Sequence, residues 1–269
     1  FNSKFYLDDK IIENLPVGLF GDFYSHELSF ILMNSNDKKN LKTIFHKSNL
    51  KLKKILIKSF LKGANISNGF KNKKTFFQIK INEKNSKIFY FENNSLKFEQ
   101  NFEFGTNIII NDISKVTSLK TDTVKLILNE VDLRNDISEN ELIKKELFAD
   151  NAYRKIKEKL IYNIAMARIQ EIIELMIVKN INFSHYNKVF NDVFFEIDTK
   201  SQLMNLEKIF KRIFSMYGRY NLIIIENLTS ENLINTANKL VHSGWKNEAI
   251  PILQSKKSLI AKFFHAIFE

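Results

Sequence analysis

Cysteine is absent from this chain of 269 residues, which excludes disulfides, thiolate metal sites and cysteine nucleophiles. Long apolar runs are absent too. None approaches the ~20 residues of a membrane-spanning helix, so no bilayer crossing is expected. No charged-then-apolar leader opens the sequence, which argues against export and for the cytoplasm. Arginine is confined to Arg134, Arg154, Arg168, Arg212 and Arg219, so the formal charge of +11 is carried by lysine. Lysine is a point charge without arginine's planar fork, and such a surplus suits diffuse attraction to an anionic surface better than readout of bases. Glycine, proline and alanine are few against abundant Lys, Asn, Ile and Phe, the bias of a low-GC genome, and on that reading the charge serves solubility alone. Both readings of the charge stay open. His26, His46, His185, His242 and His265 show neither His-x-x-x-His nor His-x-Glu spacing, so no metal site is expected. Asp8 and Asp9 read as a solvated turn, and no other catalytic constellation is present. The chain opens on Phe1 rather than Met, which is expected of a piece of a longer chain.

What is present is enough apolar content, 44%, to bury a sizeable core. After PVGLFGD, the segment HELSFILMN reads as a strand. DKKNLKTIFHKSNL reads as a helix, with Asp37 in a capping position and Leu41, Ile44 and Phe45 on one face. KLKKILIKSF alternates Leu52, Ile55 and Ile57 in strand fashion, which predicts a small β-α-β unit. From Thr75, TFFQIKI and SKIFYFENNSLKFEQNFEFG predict three consecutive strands, with Asn93-Asn94 as a hairpin turn. From Asp112 to about Lys179 the pattern is helical throughout, including DTVKLILNEV, ENELIKKELF and IAMARIQEIIELMI, without a glycine or proline. Two strand-helix pairs follow, NDVFFEID with SQLMNLEKIFKRIF and YNLIIIE with SENLINTANKLV. The expectation is an α/β architecture of subdomains.

The order of these pieces resembles the FtsA family, the actin-like cell-division proteins of bacteria, over most of the chain. LPVGLFGDFYSHELSF is similar to the opening of that family's own small subdomain, and DKKNLKTIFHKSNLKLKKILIKSFLKGANIS to the helix, strand and hinge helix after it. FFQIKINEKNSKIFYF falls where the family has its second phosphate-binding hairpin. FEFGTNIIINDI is similar to the stretch around its Gly-Gly and Asn-Asp, here Gly105 and Asn111-Asp112. ARIQEIIEL resembles its Arg-x-x-Glu-x-x-x-Leu helix, with Arg168, Glu171 and Leu175. VFFEIDTKSQLMNL resembles its adenosine-motif strand, with Ser201, Gln202 and Leu203. The resemblance implies partial actin-like subdomains of the actin, heat-shock and sugar-kinase superfamily. Their boundaries would be 1–70 for the end of a first lobe, the small subdomain at about 15–60 and a hinge helix. A second lobe would take 71–112 and 190–242, a helical insertion 113–189, and a hinge with a membrane-targeting helix 243–269.

The nucleotide motifs depart from the family. A phosphate hairpin of this class needs an Asp for the metal-bound water, and glycines that let backbone N–H groups approach phosphate. Here Lys80 stands for the Asp, and Asn82, Glu83 and Lys84 for the glycines. The adenosine Gly-Gly is replaced in the window Glu196, Ile197, Asp198. Lys80 and Lys84 could serve as phosphate ligands, as lysine does in P-loops, but the missing glycines favour solvated hairpin lysines. Arg168 and Glu171 read as an i, i+3 surface pair worth ~0.3 kcal/mol. The site near Lys80, Asn82, Glu83, Lys84, Gly105, Arg168, Glu171, Glu196 and Ser201 is therefore expected to be degenerate and not to hydrolyse nucleotide. No cofactor is expected from the residues; ATP with Mg is what the resemblance implies.

The segment KKSLIAKFFHAIFE, 256–269, places Leu259, Ile260, Phe263, Phe264, Ile267 and Phe268 on one half of a helical wheel, opposite Ser258, Lys262, His265 and Glu269. A face of this width suits reversible attachment at a bilayer interface, and Lys256, Lys257 and Lys262 add ~1 kcal/mol apiece near an anionic leaflet. Docking onto its own domain is the competing use. Gly244 and Pro251 before it break regular structure and favour detachment. An amphipathic terminal helix is also the membrane anchor that the resemblance implies. The expected function is then an adaptor that tethers FtsZ polymers to the inner face of the cytoplasmic membrane at the division septum. FtsZ and other divisome proteins, an anionic membrane and further copies in actin-like filaments would be the partners. Two alternatives stand beside it: an ATP-binding switch of the same fold, and a basic nucleic-acid-binding protein. The last lacks a basic-aromatic stacking cluster, and no nucleic acid is expected.

Overall fold

Apolar residues alternate along TFFQIKI, and in the computed structural model they form β4 (Phe76–Ile81), one of eight strands among the described residues. Those residues are 2–12, 16–70, 73–131, 136–148, 152–186, 192–197, 204–217 and 220–243. The chain divides into two units. The first takes Phe1–Thr75, Phe91–Lys97 and Leu228–Glu269, the second Phe76–Tyr90 and Phe98–Asn227.

The second unit is built on a five-stranded mixed sheet of order β6-β5-β4-β7-β8. Its members are β4, β5 (Ser86–Glu92), β6 (Ser95–Phe102), β7 (Asp192–Ile197) and β8 (Asn221–Ile224), where the sequence predicts them. β5 and β6 turn on Asn93 and Asn94 with φ of 48° and 65°, the left-handed pair that a two-residue hairpin of matching twist requires. β4 runs parallel to β7, and β7 to β8, in direct register from Phe76 with Asp192 to Ile81 with Ile197. One face of these strands is apolar throughout. Phe77, Ile79, Ile81, Val193, Phe195 and Ile197 enter a core shared with α3 (Asn107–Thr117), α4 (Thr121–Glu130), α5 (Glu158–Ile173) and α7 (Met204–Met216). Phe77 stacks on Phe183 of α6 (Ile181–Tyr186) with ring centroids 4.0 Å apart.

ENELIKKELF departs from its helical expectation. It is irregular apart from a 3-10 turn at Lys145–Phe148. The Ile143 N–H donates to the Ile156 carbonyl at 2.9 Å and the Glu158 N–H to Glu141 at 3.0 Å, so bonds to a distant segment replace the local helical ladder. Helix propensity is a weak preference that such tertiary pairing overrides.

The first unit carries a three-stranded antiparallel sheet, β2-β1-β3, of β1 (Asn2–Leu7), β2 (Lys10–Ile12) and β3 (Tyr24–Leu28). The expected Asp8-Asp9 turn joins β1 to β2, with φ of 48° and 63°. The Asp8 carboxylate accepts N–H bonds from Asp22 and Phe23, each 2.9 Å, which ties down the following loop. α1 (Ser35–Lys47) forms as predicted, but Asn34 caps it, accepting the Asn36 N–H at 2.9 Å. Asp37 lies in the first turn instead, where its charge complements the helix dipole. The strand expected at Leu52–Ile57 joins neither sheet, so the predicted β-α-β unit is incomplete. Alternation prepares a strand; a neighbouring backbone makes one.

α2 (Lys58–Gly69) and α8 (Ser230–Ser243) pack together, with the Thr236 hydroxyl 3.2 Å from Asn65 Oδ1. A Cβ at Gly63 would enter the Phe91 ring, which explains a glycine in mid-helix. Lys4 and Lys97 lie between Glu27 and Glu92: Lys4 meets Glu92 at 2.8 Å, and Lys97, nearly buried, pairs with Glu27. No helix among the described residues is long and apolar enough to cross a membrane. The 256–269 segment and Ser201 lie outside the described residues.

Candidate functional site

Parallel pairing of β4 and β7 sets Lys80 beside Glu196, and β-strand alternation turns both away from the apolar core face. The two residues that the sequence reading assigned to separate phosphate and adenosine motifs thus meet as an ion pair, Lys80 Nζ to Glu196 Oε1 at 2.6 Å. Glu196 is 1% exposed and the Lys80 side chain 16%. The expectation of a solvated lysine at 80 is corrected: its ammonium is held by Glu196 on the neighbouring strand and by Asn227. Around the pair, Lys80 also donates to Asn227 Oδ1 at 3.1 Å, and Asn227 Nδ2 donates to the Ile197 carbonyl at 2.9 Å. Gln78 Nε2 lies 3.3 Å from Glu196 Oε2, while Gln78 Oε1 is buried without a hydrogen bond among the described residues. Gln78 and Asn227 were missed at the sequence level. Gln78 had a visible signal, a second polar residue two positions before Lys80 in an apolar strand; Asn227 had none.

The turn 82–85 follows directly. Asn82, Glu83 and Lys84 occupy it, with Glu83 and Lys84 exposed, as the hairpin reading expects for Lys84. Asn82 donates a side-chain bond to Asn85 Oδ1 at 2.6 Å. Gly105 lies against this turn so closely that a Cβ would overlap the Asn82 and Glu83 carbonyl oxygens. Because of that approach, the Thr106 N–H donates to the Asn82 carbonyl at 3.0 Å and the Asn107 N–H to Glu83 at 2.9 Å. These are the first amides of α3, the groups that a helix N-terminus offers an anion. Here protein carbonyls take them.

Arg168, Glu171 and Asp112 form a second cluster. Arg168 on α5 pairs with Glu171 one turn on, as the sequence predicts, and its Nε also pairs with Asp112 of α3. The guanidinium thus clamps two helices, more than the i, i+3 surface pair expected. Asp112, Lys115, Ile164, Arg168 and Glu171 border an open recess of about 430 Å³. Among the described residues no group of three or more His, Asp or Glu side chains could hold a metal ion.

The strand-end residues do not fit a nucleotide phosphate chain. Its natural donors, the α3 amides and Lys80, are engaged with protein acceptors, and a Glu carboxylate stands beside the lysine.

No protein-family model matches the sequence, and a search of curated proteins finds no match. Solved structures do match. The chain is similar to MreB5 of Spiroplasma citri bound to AMPPNP, at 14% identity and TM-score 0.46, over 83% of this chain and 68% of that one. It is similar to the ethanolamine utilization protein EutJ from Carboxydothermus hydrogenoformans, at 9% identity and TM-score 0.41, over 71% and 57%. An archaeal actin homologue matches at 12% identity and TM-score 0.42, over 68% and 54%. The chain thus spans little more than half the length of two of these three. These structures are of the actin-like kind named by the sequence reading. At TM-scores below 0.5 the likenesses carry no weight for activity, ligand or partner, and the α/β assignment stands on the mixed sheet and the helices that share its core.

Proposed function

We propose that this chain is an FtsA-like adaptor of the actin-like class that does not hydrolyse nucleotide, holding FtsZ polymers and other divisome proteins against the inner face of the cytoplasmic membrane. The reading as an adaptor rather than an ATPase is carried by the Lys80–Glu196 pair, together with the α3 amides turned onto the 82–85 turn. Attachment is assigned to 256–269, whose sequence puts apolar residues on one face and Lys256, Lys257 and Lys262 beside it. Self-association into filaments belongs to the same reading.

Co-sedimentation with vesicles of graded anionic lipid content tests the attachment, comparing the full chain with one ending at Ser255. The full chain is expected to pellet and the shortened one to stay in solution; equal behaviour removes the tether. A pulldown with FtsZ from the same cell tests the partner, and absence of binding removes it. A nucleotide-driven switch is the second reading, favoured by the Arg168 recess with its mixed charges. Micromolar ATP binding in calorimetry would establish it and overturn the first.

A further inference from the structure

The first unit exposes an unusual amount of apolar surface in one stretch. No residue from Pro16 to Ser59 is buried. Phe30 is 73% exposed and Leu32 84%, and α1, although amphipathic in sequence, buries none of its residues. This surface is concave. A groove of about 550 Å³ runs between the segment at Leu32 and Met33 and the extended stretch at Leu52–Ile57, with Phe60 at its base. Lysines line it as well: Lys38 and Lys42 from α1, and Lys53 and Lys54 from the extended stretch. No acidic residue lines it among those described, and the sequence from 38 to 58 holds eight lysines and no acid.

From this arrangement we propose that the groove is a docking site for an acidic, apolar peptide segment of a partner protein. The partner would lie alongside 52–57, where a strand-patterned stretch joins neither sheet of this chain, with apolar side chains in the groove and carboxylates toward the lysines. Charge selects the occupant. The chain's own 256–269 segment has three lysines against Glu269, and a second copy carries the same +11. Both are repelled by a groove lined with lysine. A lipid surface shares the charge preference, but a bilayer is flat and meets protruding groups, whereas the apolar floor here is recessed. The proposal is independent of the tether reading, because it involves neither 256–269 nor the strand-end pair.

The test is selection of a random twelve-residue peptide display library on the immobilised full chain, with enriched peptides then synthesised and measured by fluorescence anisotropy. Enriched sequences should combine Asp or Glu with Ile, Leu or Phe. Their affinity should fall about tenfold or more in the variant K42E/K53E, and fall again between about 0.1 M and 0.5 M salt. Ile55→Ser should weaken binding without changing the salt dependence. All three positions are exposed or line the open groove, so the far-UV circular dichroism and melting of these variants should match the parent chain. Enrichment of neutral or basic peptides, or equal binding by K42E/K53E, overturns the proposal. So does a failure to enrich accompanied by loss of phosphatidylglycerol-vesicle pelleting in K42E/K53E, which would assign the surface to lipid. A dimer that the same variant dissociates, with no acidic peptide selected, would assign it to a second copy and overturn the proposal as well.

Discussion

The two units use similar residues to opposite ends. In the second, isoleucine and phenylalanine at strand and helix spacing are nearly all sequestered: Ile79, Phe195, Ile169 and Phe210 are at most 1% exposed. In the first, the same residue types at the same spacings along 16–57 stay at the surface, with Ile44 60% exposed and Phe20 fully so. Amphipathic patterning therefore specifies a face but not its covering. In the second unit the parallel β4–β7–β8 pairing closes a two-layer core on the helices, whereas in the first only α2, α8 and the 91–97 hairpin tip reach that state. Polar groups follow the same division. The second unit buries a charged pair between strands, and the first keeps its four-charge cluster with Glu27 44% exposed.

The largest expected effect would break this division at the buried pair. Lys80→Met leaves the Glu196 carboxylate buried without its partner and should cost about 3–5 kcal/mol in urea unfolding. K80M/E196L should recover most of the loss; a single variant as stable as the parent would show that the pair is solvated. Next, Ile169→Ala should cost about 2–5 kcal/mol, because a fully buried side chain leaves a cavity, while Ile44→Ala on α1 should stay within about 0.5 kcal/mol. Equal losses would mean that α1 is covered in solution. Within α2 alone, Gly63→Ala should cost about 1–3 kcal/mol by meeting the Phe91 ring. Gly69→Ala, with open space around it, should be neutral or stabilise by up to about 1 kcal/mol. The melting temperatures of the two variants should move in opposite directions or differ clearly.

The smallest effect is electrostatic. The Lys97 ammonium, hydrogen-bonded to Glu27, holds that carboxyl below its ordinary value of 4.5. A depressed carboxylate stabilises the fold above its ordinary value, and that contribution is lost as pH falls through the lower folded value. Lys4 is raised above 10.5, chiefly by its hydrogen bond to Glu92, so its contribution is full below 10.5 and lost as pH rises past the raised value. Glu27→Gln should therefore melt lower than the parent near neutral pH, and the gap should close in acid. Because Glu27 is well exposed, the gap should be a fraction of a kcal/mol and shrink with salt.

Much of the fold was legible in the residues. Short apolar runs placed β4, β5, β6, β7 and β8, and Asn93-Asn94 marked its hairpin because asparagine accepts positive φ. Period-3.6 stripes placed α1, α4, α5, α7 and α8, whereas α3 begins at Asn107, ahead of the helical stretch read from Asp112. Two of the failures share a cause. At 52–57 and 139–148 the local pattern was adequate for a strand and a helix, but the outcome depended on whether a distant backbone was there to bond. For the former none among the described residues pairs in a sheet, and for the latter Ile156 does bond.

The candidate site divides in the same way. From the sequence alone it follows that residues 82–85 hold no glycine, that Lys80 and Glu196 interrupt apolar strands, and that 256–269 is amphipathic. These are facts of residue type, and chain order suffices to state them. Only the tertiary structure decided that Lys80 and Glu196, 116 positions apart, neutralise one another. It also turned the α3 amides onto the 82–85 turn through Gly105, and left the lysine-lined groove of the first unit open. Such outcomes depend on which strands lie side by side, and strand order is set by the burial of whole faces rather than by any local run of residues.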